Sequence, residues 1–416
     1  MKRAFKIVSV VGLGYIGLPT AAMFASRKVK VIGVDVNEST VATINEGRVH
    51  IVEPDLDIVV RSVVESGHLR ATTMPEAADA FMIAVPTPFK GDHEPDLTYI
   101  EKASKAIAPV LKSGDLVVLE STSPVGATEQ MAAWLAEARP DLTFPQDAGE
   151  ESDIRIAHCP ERVLPGKVMQ ELIHNDRVIG GMTPACSAAA VDLYGIFVQG
   201  DCVITNARTA EMAKLTENSF RDVNIAFANE LSIICDTLNI DVWELIALAN
   251  RHPRVNILQP GPGVGGHCIA VDPWFIVSKT PDQARLIRTA REVNDGKPDW
   301  VLAKVEEALA AIDKPRSDIV IACYGLAFKP DIDDLRESPA LDIARRLADR
   351  HEGHLLLVEP NIEALPTVFR SNARLATIAE AADSDMHIIL VDHSSFKGLN
   401  PDGALIDTRG LVGRGA

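Results

Sequence analysis

The sequence predicts an α/β protein with two Rossmann-like, doubly wound domains joined by a long central helix. Three observations predict this architecture: a glycine-rich strand–turn–helix unit at the N-terminus, an uninterrupted helical run in the middle, and a second set of short apolar strands near the C-terminus. At 416 residues the chain exceeds what one hydrophobic core usually supports. We therefore expect three parts: a dinucleotide-binding domain at 1–206, a helical region at 207–312 and a smaller α/β domain at 313–416.

Composition limits the kinds of partner. The chain is 47% hydrophobic and 24% charged, which is typical of a soluble globular protein, and no stretch is long and apolar enough to span a bilayer. A net charge of -17 argues against nucleic acid or an anionic membrane surface as a general partner. The 6 cysteines are scattered without a C-x-x-C pair, which favours a reducing cytoplasm and predicts neither a disulfide framework nor a metal site.

The first unit, KIVSVVGLGYIGLPTAAMFAS, predicts a strand, a tight turn and a helix. Gly12, Gly14 and Gly17 form a G-x-G-x-x-G turn, in which bare backbone lets a pyrophosphate approach the helix N-terminus. The next strand ends at Asp35, where a carboxylate can accept hydrogen bonds from a ribose. Because a carboxylate there would repel a ribose phosphate, the pattern favours NAD over NADP. The alternative is a glycine turn that binds no cofactor.

Polar residues come after three further predicted strands. AFMIAVPTPF ends near Thr87, DLVVLESTSPVG ends near Thr122, and IRIAHCPER places Glu161 and Arg162 after a strand. The carboxyl ends of parallel strands meet at one edge of a sheet, and ligands bind there. We therefore expect these side chains to face a ligand.

A run from Thr209, TAEMAKLTENSFRDVNIAFANELSIICDTLNI, contains no proline or glycine and predicts one long helix. Its apolar residues exceed one face, which indicates a contact between copies of the chain. Lys214, Asn218 and Arg221 recur at helical spacing and share a stripe. This stripe is either a solvated face or the lining of a polar cleft.

The segment QPGPGVGGHCIAVDPW predicts a loop that carries a nucleophile. Its glycines and prolines suit neither a helix nor a packed strand, and they allow another molecule to approach the backbone closely. Cys268 lies at the end of this run, with His267 before it and Asp272 four residues later. Such a thiol can attack a carbonyl carbon if a neighbouring group keeps it partly ionised. The alternative is a buried structural cysteine.

The C-terminal part predicts a second, smaller α/β domain. The strand DIVIACYGLAFK ends in Gly325 much as the first strand ends in Gly12, but the rest of the glycine fingerprint is missing. Lys329 and Arg336 lie in the turn after this strand. We expect a Rossmann-like sheet that binds no dinucleotide and can hold a nucleotide-bearing substrate.

Six motifs together resemble those of a known family. GLGYIGLP, ESTSPVG, CPER, AEMAKLTENSFRDVNIAFANE, GPGVGGHCIAVDP and GLAFKPDIDDLRESP occur in the order seen in UDP-glucose/GDP-mannose dehydrogenases. The resemblance covers essentially the whole chain. It implies an NAD-binding domain, a central helix that forms a homodimer, and a C-terminal domain for a UDP-sugar.

The resemblance also implies a two-step, four-electron oxidation of the sugar's primary alcohol to a carboxylate. In that scheme a lysine, an asparagine and an aspartate surround the reacting oxygen, a cysteine captures the aldehyde, a glutamate acts as base for thioester hydrolysis, and a threonine positions the water. The matching positions are Lys214, Asn218, Asp272, Cys268, Glu161 and Thr122.

The resemblance implies two further sets of residues. The substrate-contacting positions are Arg162, Val163, Lys214, Asn218, Arg221, His252, Arg254, Gly265 and Lys329. The positions on the cofactor side, with the glycines of the first turn, are Tyr15, Ile16, Asp35, Thr87, Thr128 and Arg336.

The choice of sugar rests on two segments. CPERVLPG and NRHPRVNILQPGPGVGGHC are most similar to family members that oxidise UDP-N-acetyl-D-mannosamine for a surface polysaccharide such as enterobacterial common antigen. Other UDP-sugars, including UDP-glucose and UDP-N-acetylglucosamine, are alternatives. Two further alternatives are a two-electron 3-hydroxyacid-type dehydrogenase, which has no use for the cysteine, and a non-catalytic nucleotide-sugar binding protein.

Overall fold

The chain divides into two compact units, residues 1–216 and 217–416. The division falls within one long helix. The predicted three-part organisation stays a prediction. The computed structural model describes residues 5–91, 93–164, 166–266 and 268–412.

The first unit is an α/β structure, as predicted. Its strands are β1 (Ile7–Val11), β2 (Lys30–Val34), β3 (Leu69–Thr72), β4 (Ala80–Ile83), β5 (Phe89–Lys90), β6 (Glu94–Pro95), β7 (Leu116–Leu119), β8 (Arg155–His158), β9 (Arg177–Gly181) and β10 (Cys202–Asn206). Its helices are α1 (Gly17–Ser26), α2 (Glu38–Asn45), α3 (Leu56–Glu65), α4 (Thr98–Ile107), α5 (Ala127–Ala138), α6 (Pro145–Ala148), α7 (Val168–His174) and α8 (Pro184–Tyr194). Short 3-10 turns cover Ala108–Val110 and Gly149–Glu151.

The main sheet of this unit has the strand order β10-β9-β8-β7-β4-β1-β2-β3. Neighbouring strands are parallel except for β8 and β9, which are antiparallel. The order reverses beside β1, and ligands bind at such a switch point, at the carboxyl ends of the strands. The turn after β1 therefore lies where a cofactor is expected.

The side chains of β1 point alternately to the two faces of this sheet, which explains why helices cover both faces. Val10 packs into one apolar core with residues of α1 and α3, and Val11 packs into another with residues of α4 and α5. Successive side chains of a strand point to opposite faces, so a strand that is apolar throughout needs a cover on each side. This is the doubly wound arrangement.

The second unit contains a smaller parallel sheet. Its helices are α10 (Val242–Ala249), α11 (Asp272–Lys279), α12 (Arg285–Ala310), α13 (Pro339–Arg350) and α14 (Ile378–Ala381). Its strands are β11 (Val320–Tyr324), β12 (His354–Val358), β13 (Ala373–Leu375), β14 (Met386–Ile389) and β15 (Ala404–Asp407), with 3-10 turns at Arg316–Asp318 and Ser394–Phe396. The strand order is β13-β12-β11-β14-β15, and all four pairings are parallel. Apolar cores lie on both faces, so the expected second Rossmann-like sheet is confirmed.

The helix α9 (Ala207–Leu238) runs for 32 residues without a break. It confirms the long central helix that the absence of proline and glycine predicts. Over the parts of the chain that the structure describes, no helix combines the length and apolar character that crossing a membrane requires.

Candidate active site

The turn after β1 has the geometry of a dinucleotide-binding turn. Gly12 has φ +92°, and a Cβ there would lie 2.4 Å from the carbonyl oxygen of Ala84. A Cβ on Gly17 would lie 1.8 Å from the carbonyl oxygen of Gly12, so the start of α1 can close onto the turn only without a side chain. Gly14 faces open space. The turn therefore leaves room for a pyrophosphate beside the N-terminus of α1.

Asp35 comes directly after β2 and is half-buried. Its Oδ2 accepts a hydrogen bond of 2.9 Å from the backbone N–H of Leu13, and its Oδ1 accepts one of 2.9 Å from that of Asn37. These bonds hold the carboxylate beside the glycine turn, and each oxygen keeps acceptor capacity for a ribose hydroxyl. Tyr15, in the turn itself, is 40% exposed. The residues present fit the adenosine half of NAD.

Hydrogen bonds connect the segments that follow β4 and β7. The hydroxyl of Thr87 donates to the carbonyl oxygen of Thr122, and Ser121 donates to the carbonyl oxygen of Val85 at 2.7 Å. Thr87 and Thr122 are both half-buried. Two of the predicted residues are therefore in direct contact at the edge of the sheet.

Thr128 is buried at the start of α5, and its hydroxyl donates to Glu211 at 2.6 Å. The backbone N–H groups of Gly126 and Thr128 also donate to this carboxylate, at 2.6 and 2.8 Å. Burial raises the pKa of Glu211, while these hydrogen bonds lower it, and the net shift is upward. Glu211 on α9 thus holds the helix N-terminus that carries Thr128.

Glu161 lies in a buried ion pair. Its Oε2 accepts a hydrogen bond from the guanidinium of Arg177, whose side chain is 2% exposed, and its Oε1 accepts one of 2.6 Å from the backbone N–H of Arg162. Arg162 and Val163 are half-buried. The predicted base therefore has a fixed orientation at the carboxyl end of the sheet.

In the second unit, Asn218 and Asp272 are hydrogen-bonded to each other. The Asn218 side-chain amide donates to Oδ2 of Asp272, which is 3% exposed. The backbone N–H of Asp272 also donates to the carbonyl oxygen of Cys268 at 2.9 Å. Cys268 is exposed, and all six cysteines are thiols rather than disulfides. Lys214 is half-buried one helical turn before Asn218 on α9; His267 lies outside the described residues.

The glycines before Cys268 pack closely against the chain itself. A Cβ on Gly265 would lie 2.4 Å from the carbonyl oxygen of Glu337 and 2.8 Å from the Pro339 ring at the start of α13. Gly266, with φ +84°, lies against the ring of Phe328. The sequence predicts bare backbone for another molecule to approach, whereas these two glycines allow the loop to approach the turn after β11.

The other end of this loop is anchored by polar contacts. The backbone N–H of Gly261 donates to Asn229 on α9 at 2.9 Å. Asn229 donates to Asn294 at 2.8 Å, and Asn294 donates to the carboxylate of Asp222 at 2.8 Å. Arg291 donates to the same carboxylate at 2.7 Å. A buried hydrogen-bond network between α9 and α12 thus fixes the start of the cysteine loop.

The basic turn before the loop is exposed. His252 and Arg254 come after α10, and Arg221 is exposed on α9. Asn250 fixes the turn, because its side chain accepts from the backbone N–H of Ile257 at 2.7 Å and donates to the Ile257 carbonyl oxygen at 3.0 Å. His252 and Arg254 are therefore held on a closed turn, and they are exposed to an anionic ligand, as is Arg221 on α9.

Lys329 and Arg336 lie in the turn between β11 and α13, and both are exposed. Arg336 donates to both carboxylate oxygens of Asp334, at 2.8 and 2.7 Å. The charge of Lys329 is available to a phosphate-bearing ligand at the carboxyl end of the second sheet.

Family models match nearly the whole chain. Residues 6–198 match the NAD binding domain of the UDP-glucose/GDP-mannose dehydrogenase family, residues 208–296 its central domain, and residues 322–414 its UDP binding domain. The chain belongs to this family of NAD-dependent dehydrogenases, and the predicted resemblance is confirmed.

The chain is also similar to individual members of this family. The chain is 68% identical to a UDP-N-acetyl-D-mannosamine dehydrogenase of Yersinia pestis, over 98% of this chain and 99% of the relative. It is 64% identical to an NDP-N-acetyl-D-galactosaminuronic acid dehydrogenase of Ralstonia solanacearum, over 98% and 96%. Among solved structures, a UDP-D-ManNAc dehydrogenase from Pyrococcus horikoshii superposes with a TM-score of 0.87 at 38% identity, covering 98% of this chain and 96% of that one.

The predicted site residues fall into clusters within each unit. Cys268, Asp272 and Asn218 lie together in the second unit. Sequence reasoning missed Glu211, although it precedes Lys214 by three residues on α9, a spacing that places both on one helix face. It also missed the buried arginine that holds Glu161, because the strand RVIGG gives no local signal for a long-range ion pair.

Proposed function

We propose that this protein oxidises the primary alcohol at C6 of UDP-N-acetyl-D-mannosamine to UDP-N-acetyl-D-mannosaminuronate, for a surface polysaccharide of the enterobacterial common antigen kind. The observation that carries the proposal is the exposed Cys268 beside the hydrogen-bonded Asp272–Asn218 pair. The chain that contains it is 68% identical to a relative named UDP-N-acetyl-D-mannosamine dehydrogenase. The reaction takes one alcohol, two NAD and one water to one carboxylate, two NADH and three protons.

The first oxidation removes a proton from the alcohol as a hydride leaves its carbon. Bound NAD supplies the hydride acceptor in both oxidations. Asp272, held by Asn218, accepts the alcohol proton directly or through a water, and the Lys214 ammonium stabilises negative charge on the oxygen. The product of this step is an aldehyde.

The second oxidation proceeds through the thiol. The Cys268 thiolate attacks the aldehyde carbon, a C–S bond forms, and the oxygen takes a proton to give a thiohemiacetal. Loss of that proton and of a hydride gives a thioester. Water, positioned by Thr122, then attacks the thioester carbon while Glu161 takes its proton, and the C–S bond breaks to release the thiolate. Covalent capture keeps the aldehyde from leaving between the two oxidations.

The remaining predicted residues are proposed to hold the two ligands. A basic turn, a half-buried pair after β8 and a lysine after β11 provide donors for the sugar and its diphosphate. These substrate residues are Arg162, Val163, Arg221, His252, Arg254, Gly265 and Lys329. On the cofactor side they are Gly12, Gly14, Tyr15, Ile16, Gly17, Asp35, Thr87, Thr128 and Arg336.

A panel of nucleotide sugars tests the choice of substrate. Purified protein with NAD and each of UDP-N-acetylmannosamine, UDP-N-acetylgalactosamine, UDP-N-acetylglucosamine and UDP-glucose is followed by NADH absorbance. We expect the highest kcat/KM for UDP-N-acetylmannosamine, the sugar in the name of a relative that is 68% identical. UDP-glucose should be a poor substrate, because it leaves a donor placed for the amide carbonyl unpaired. A higher kcat/KM for UDP-glucose would contradict the assignment.

UDP-N-acetylgalactosamine is the second candidate substrate. It is favoured by the 64% identity to a relative named for N-acetylgalactosaminuronic acid. The two sugars both carry the N-acetyl group but differ in configuration at C2 and C4, so an amide donor alone does not separate them. The galactosamine substrate replaces the mannosamine one if its kcat/KM is the higher of the two.

The central helix is proposed to form a homodimer. Phe220, Phe227 and Ile234 recur every seven residues along one side of α9, and Leu238 continues the stripe; they are 71%, 51%, 45% and 60% exposed. Such a stripe is typical of a helix that packs against a second copy. A cytoplasmic location is likewise proposed, supported by six cysteines present as thiols.

The dimer is tested with Phe227→Glu, which places a charge in the middle of the stripe. We expect sedimentation to give a dimer for the wild type and a monomer for the variant. Val368→Glu is the control, because Val368 is an equally exposed apolar residue, at 52%, in the connection between β12 and β13. A monomeric wild type would contradict the proposal.

A further inference from the structure

Two carboxyl groups share one buried cation at the carboxyl end of the first sheet. Glu120 comes directly after β7, Glu161 comes after β8, and Arg177 begins β9. Glu120 and Arg177 are each 2% exposed, and Glu161 is 7% exposed. The strands β7 and β8 are adjacent and parallel, with Leu119 opposite His158, so the residues after them emerge side by side.

Direct contacts connect the members of this cluster. The Arg177 guanidinium donates to Glu161 and, at 3.2 Å, to the carbonyl oxygen of Leu172. It lies 5.3 Å from the ring centre of Tyr194, and the Tyr194 hydroxyl donates to Glu120 at 3.1 Å. Within the described chain, Arg177 Nε and Glu120 Oε2 make no hydrogen bond of ordinary geometry.

The charges are balanced only if one carboxyl group keeps its proton. The pKa of Glu120 is raised to about 8, first because burial removes water from its carboxylate and then because Glu161 is negatively charged. The charge of Arg177 and the nearby hydroxyls of Tyr194 and Thr20 act in the opposite direction. At neutral pH the cluster therefore holds one guanidinium, one carboxylate and one uncharged carboxyl group.

Three further ionisable groups of the cluster's surroundings, Cys159, Tyr194 and His158, are uncharged. Burial raises the pKa of the Cys159 thiol to about 12 and that of the Tyr194 hydroxyl well above its ordinary value. Burial lowers the pKa of His158 to about 3, so its ring is neutral. Near neutral pH, the charge of the cluster changes through Glu120.

We infer that Glu120 is a positioning residue for Glu161. Because Glu120 stays uncharged, the guanidinium of Arg177 pairs with Glu161 alone and holds Glu161 in one orientation as the base of thioester hydrolysis. This inference rests on the proposed function. Ionisation of Glu120 divides Arg177 between two carboxylates and releases Glu161 from its orientation. In the step concerned, water attacks the thioester carbon, Glu161 takes the water proton, and the sulfur leaves as thiolate.

Glu120→Gln tests the role, because glutamine resembles the uncharged carboxyl group and does not ionise. Wild type and variant are mixed with NAD and UDP-N-acetylmannosamine, quenched in acid, and the decay of the acyl-enzyme is followed by intact-protein mass. We expect hydrolysis rates within about threefold at pH 6.5 and at least about fivefold faster hydrolysis by the variant at pH 9. A ratio that stays constant with pH overturns the inference.

Asp115→Asn is the matched control. Asp115 is also buried, burial also raises its pKa, and it lies at the opposite end of β7 from Glu120. We expect its rate relative to wild type to stay constant between pH 6.5 and 9. A pH-dependent ratio like that of Glu120→Gln would mean that any buried carboxyl group of this sheet produces the effect, and would overturn the inference.

Thermal unfolding separates this inference from the proposed function, because it needs no substrate. The pKa of Glu120 is about 8 in the folded chain and has its ordinary value of 4.5 in the unfolded chain. At a pH between these two values, Glu120 is protonated when the chain is folded and ionised when it is unfolded. Stability of the wild type therefore falls as pH rises through this window, whereas glutamine contributes no such fall. We expect the Tm of Glu120→Gln relative to wild type to rise from pH 5 to pH 8. A constant Tm difference overturns the inference, and wild type that forms no acyl-enzyme overturns the proposed function instead.

Discussion

The two parallel sheets begin with the same backbone turn and differ in the residues beyond it. After β1, Gly12 has φ +92° and its N–H donates to the carbonyl oxygen of Val34 at 2.8 Å. After β11, Gly325 has φ +89° and its N–H donates to the carbonyl oxygen of Val358 at 2.8 Å. In each case the turn lies over the end of the neighbouring strand, so the first glycine serves the fold of both sheets.

The acidic residue after the second strand distinguishes the two sheets. Asp35 accepts from Leu13 N–H and stays half-buried at the edge of the sheet. Glu359 accepts in the same way from Leu326 N–H at 2.8 Å, but it is 3% exposed, and His393 lies 3.0 Å from its carboxylate. A carboxylate enclosed by protein groups cannot bind a ribose, whereas one at the open edge can.

The connection to the next helix differs as well. In the first sheet α1 begins at Gly17, immediately after the turn. In the second sheet α13 does not begin until Pro339, and the longer connection contacts the cysteine loop at Gly265. One kind of turn thus serves two purposes. It leaves room for a dinucleotide where the helix starts at once, and it supports the cysteine loop where the helix starts late.

Replacing the first glycine of each turn should have the largest effect and should separate the two sheets. In both Gly12→Ala and Gly325→Ala the new Cβ lies closer than 2.5 Å to a neighbouring atom at positive φ. We expect Gly12→Ala to raise the Kd of NAD at least about 100-fold, because the turn must open beside the pyrophosphate. Gly325→Ala should lower the Tm but leave this Kd within about threefold.

Isothermal titration with NAD, together with circular dichroism to confirm folding, measures both effects. Equal loss of NAD affinity in the two variants would contradict the difference between the two sheets, since it would make the second turn part of the cofactor site.

Changing the two acidic residues should have the next largest effect. We expect Asp35→Ser to reduce the preference for NAD over NADP at least about tenfold, because it removes a like charge from the position of the ribose phosphate. Glu359→Gln should leave the preference unchanged, since Glu359 is enclosed. The ratio of kcat/KM for the two cofactors measures this, and a wild type without preference would refute the position assigned to Asp35.

The pH dependence of stability should sharpen the same contrast. Burial alone would raise the pKa of Glu359. The hydrogen bond and charge of His393 and the hydrogen bonds from the N–H groups of Leu326 and Ala327 lower it by more, so the net pKa lies below 4.5. The ionised carboxylate therefore stabilises the fold fully above pH 4.5, and this stabilisation is lost as pH falls through the lowered value.

Denaturation of Glu359→Gln measures that contribution. We expect a loss of about 1–3 kcal/mol at pH 7 that shrinks below about pH 4, where the wild type loses the same interaction. A loss independent of pH would mean that Glu359 acts through packing alone.

The smallest expected effects concern two helix N-caps, one in each unit. Asn37 caps α2 by accepting from the N–H groups of Ser39 and Thr40, and Thr377 caps α14 in a reciprocal arrangement with Glu380. We expect Asn37→Ala and Thr377→Ala each to cost about 1 kcal/mol of unfolding free energy. Chemical denaturation checks this, and a cost above about 3 kcal/mol would show that the residue does more than cap a helix.

Local pattern predicted much of this architecture. The spacing of Gly12, Gly14 and Gly17 and the position of Asp35 are features of one strand–turn–helix–strand unit, so residues close in sequence are enough to predict them. The length of α9 is explained by a run without helix breakers. In the same way the motif at Gly325 predicted a second sheet without a dinucleotide fingerprint.

Long-range contacts could not be predicted from local pattern. The burial of Glu359 depends on His393, which lies after β14, and the ion pair of Glu161 depends on a residue of β9. The glycines before Cys268 predicted a loop correctly, but the atoms that Gly265 and Gly266 approach belong to the connection after β11 and to the start of α13. Sequence pattern identifies the residues that need space, whereas only the fold identifies the groups that fill it.

The ratio of NADH formed to sugar acid formed tests the central claim most directly. Because the proposed capture by Cys268 keeps the aldehyde bound, we expect each sugar to be oxidised twice before its release. We expect two NADH per UDP-N-acetylmannosaminuronate, with no free aldehyde trapped by a hydrazine. Cys268→Ser should lower turnover at least about 1000-fold, because an alkoxide is far less available than a thiolate near neutral pH, whereas Cys202→Ser should not. A ratio of one NADH per product, or full turnover by Cys268→Ser, would contradict the account.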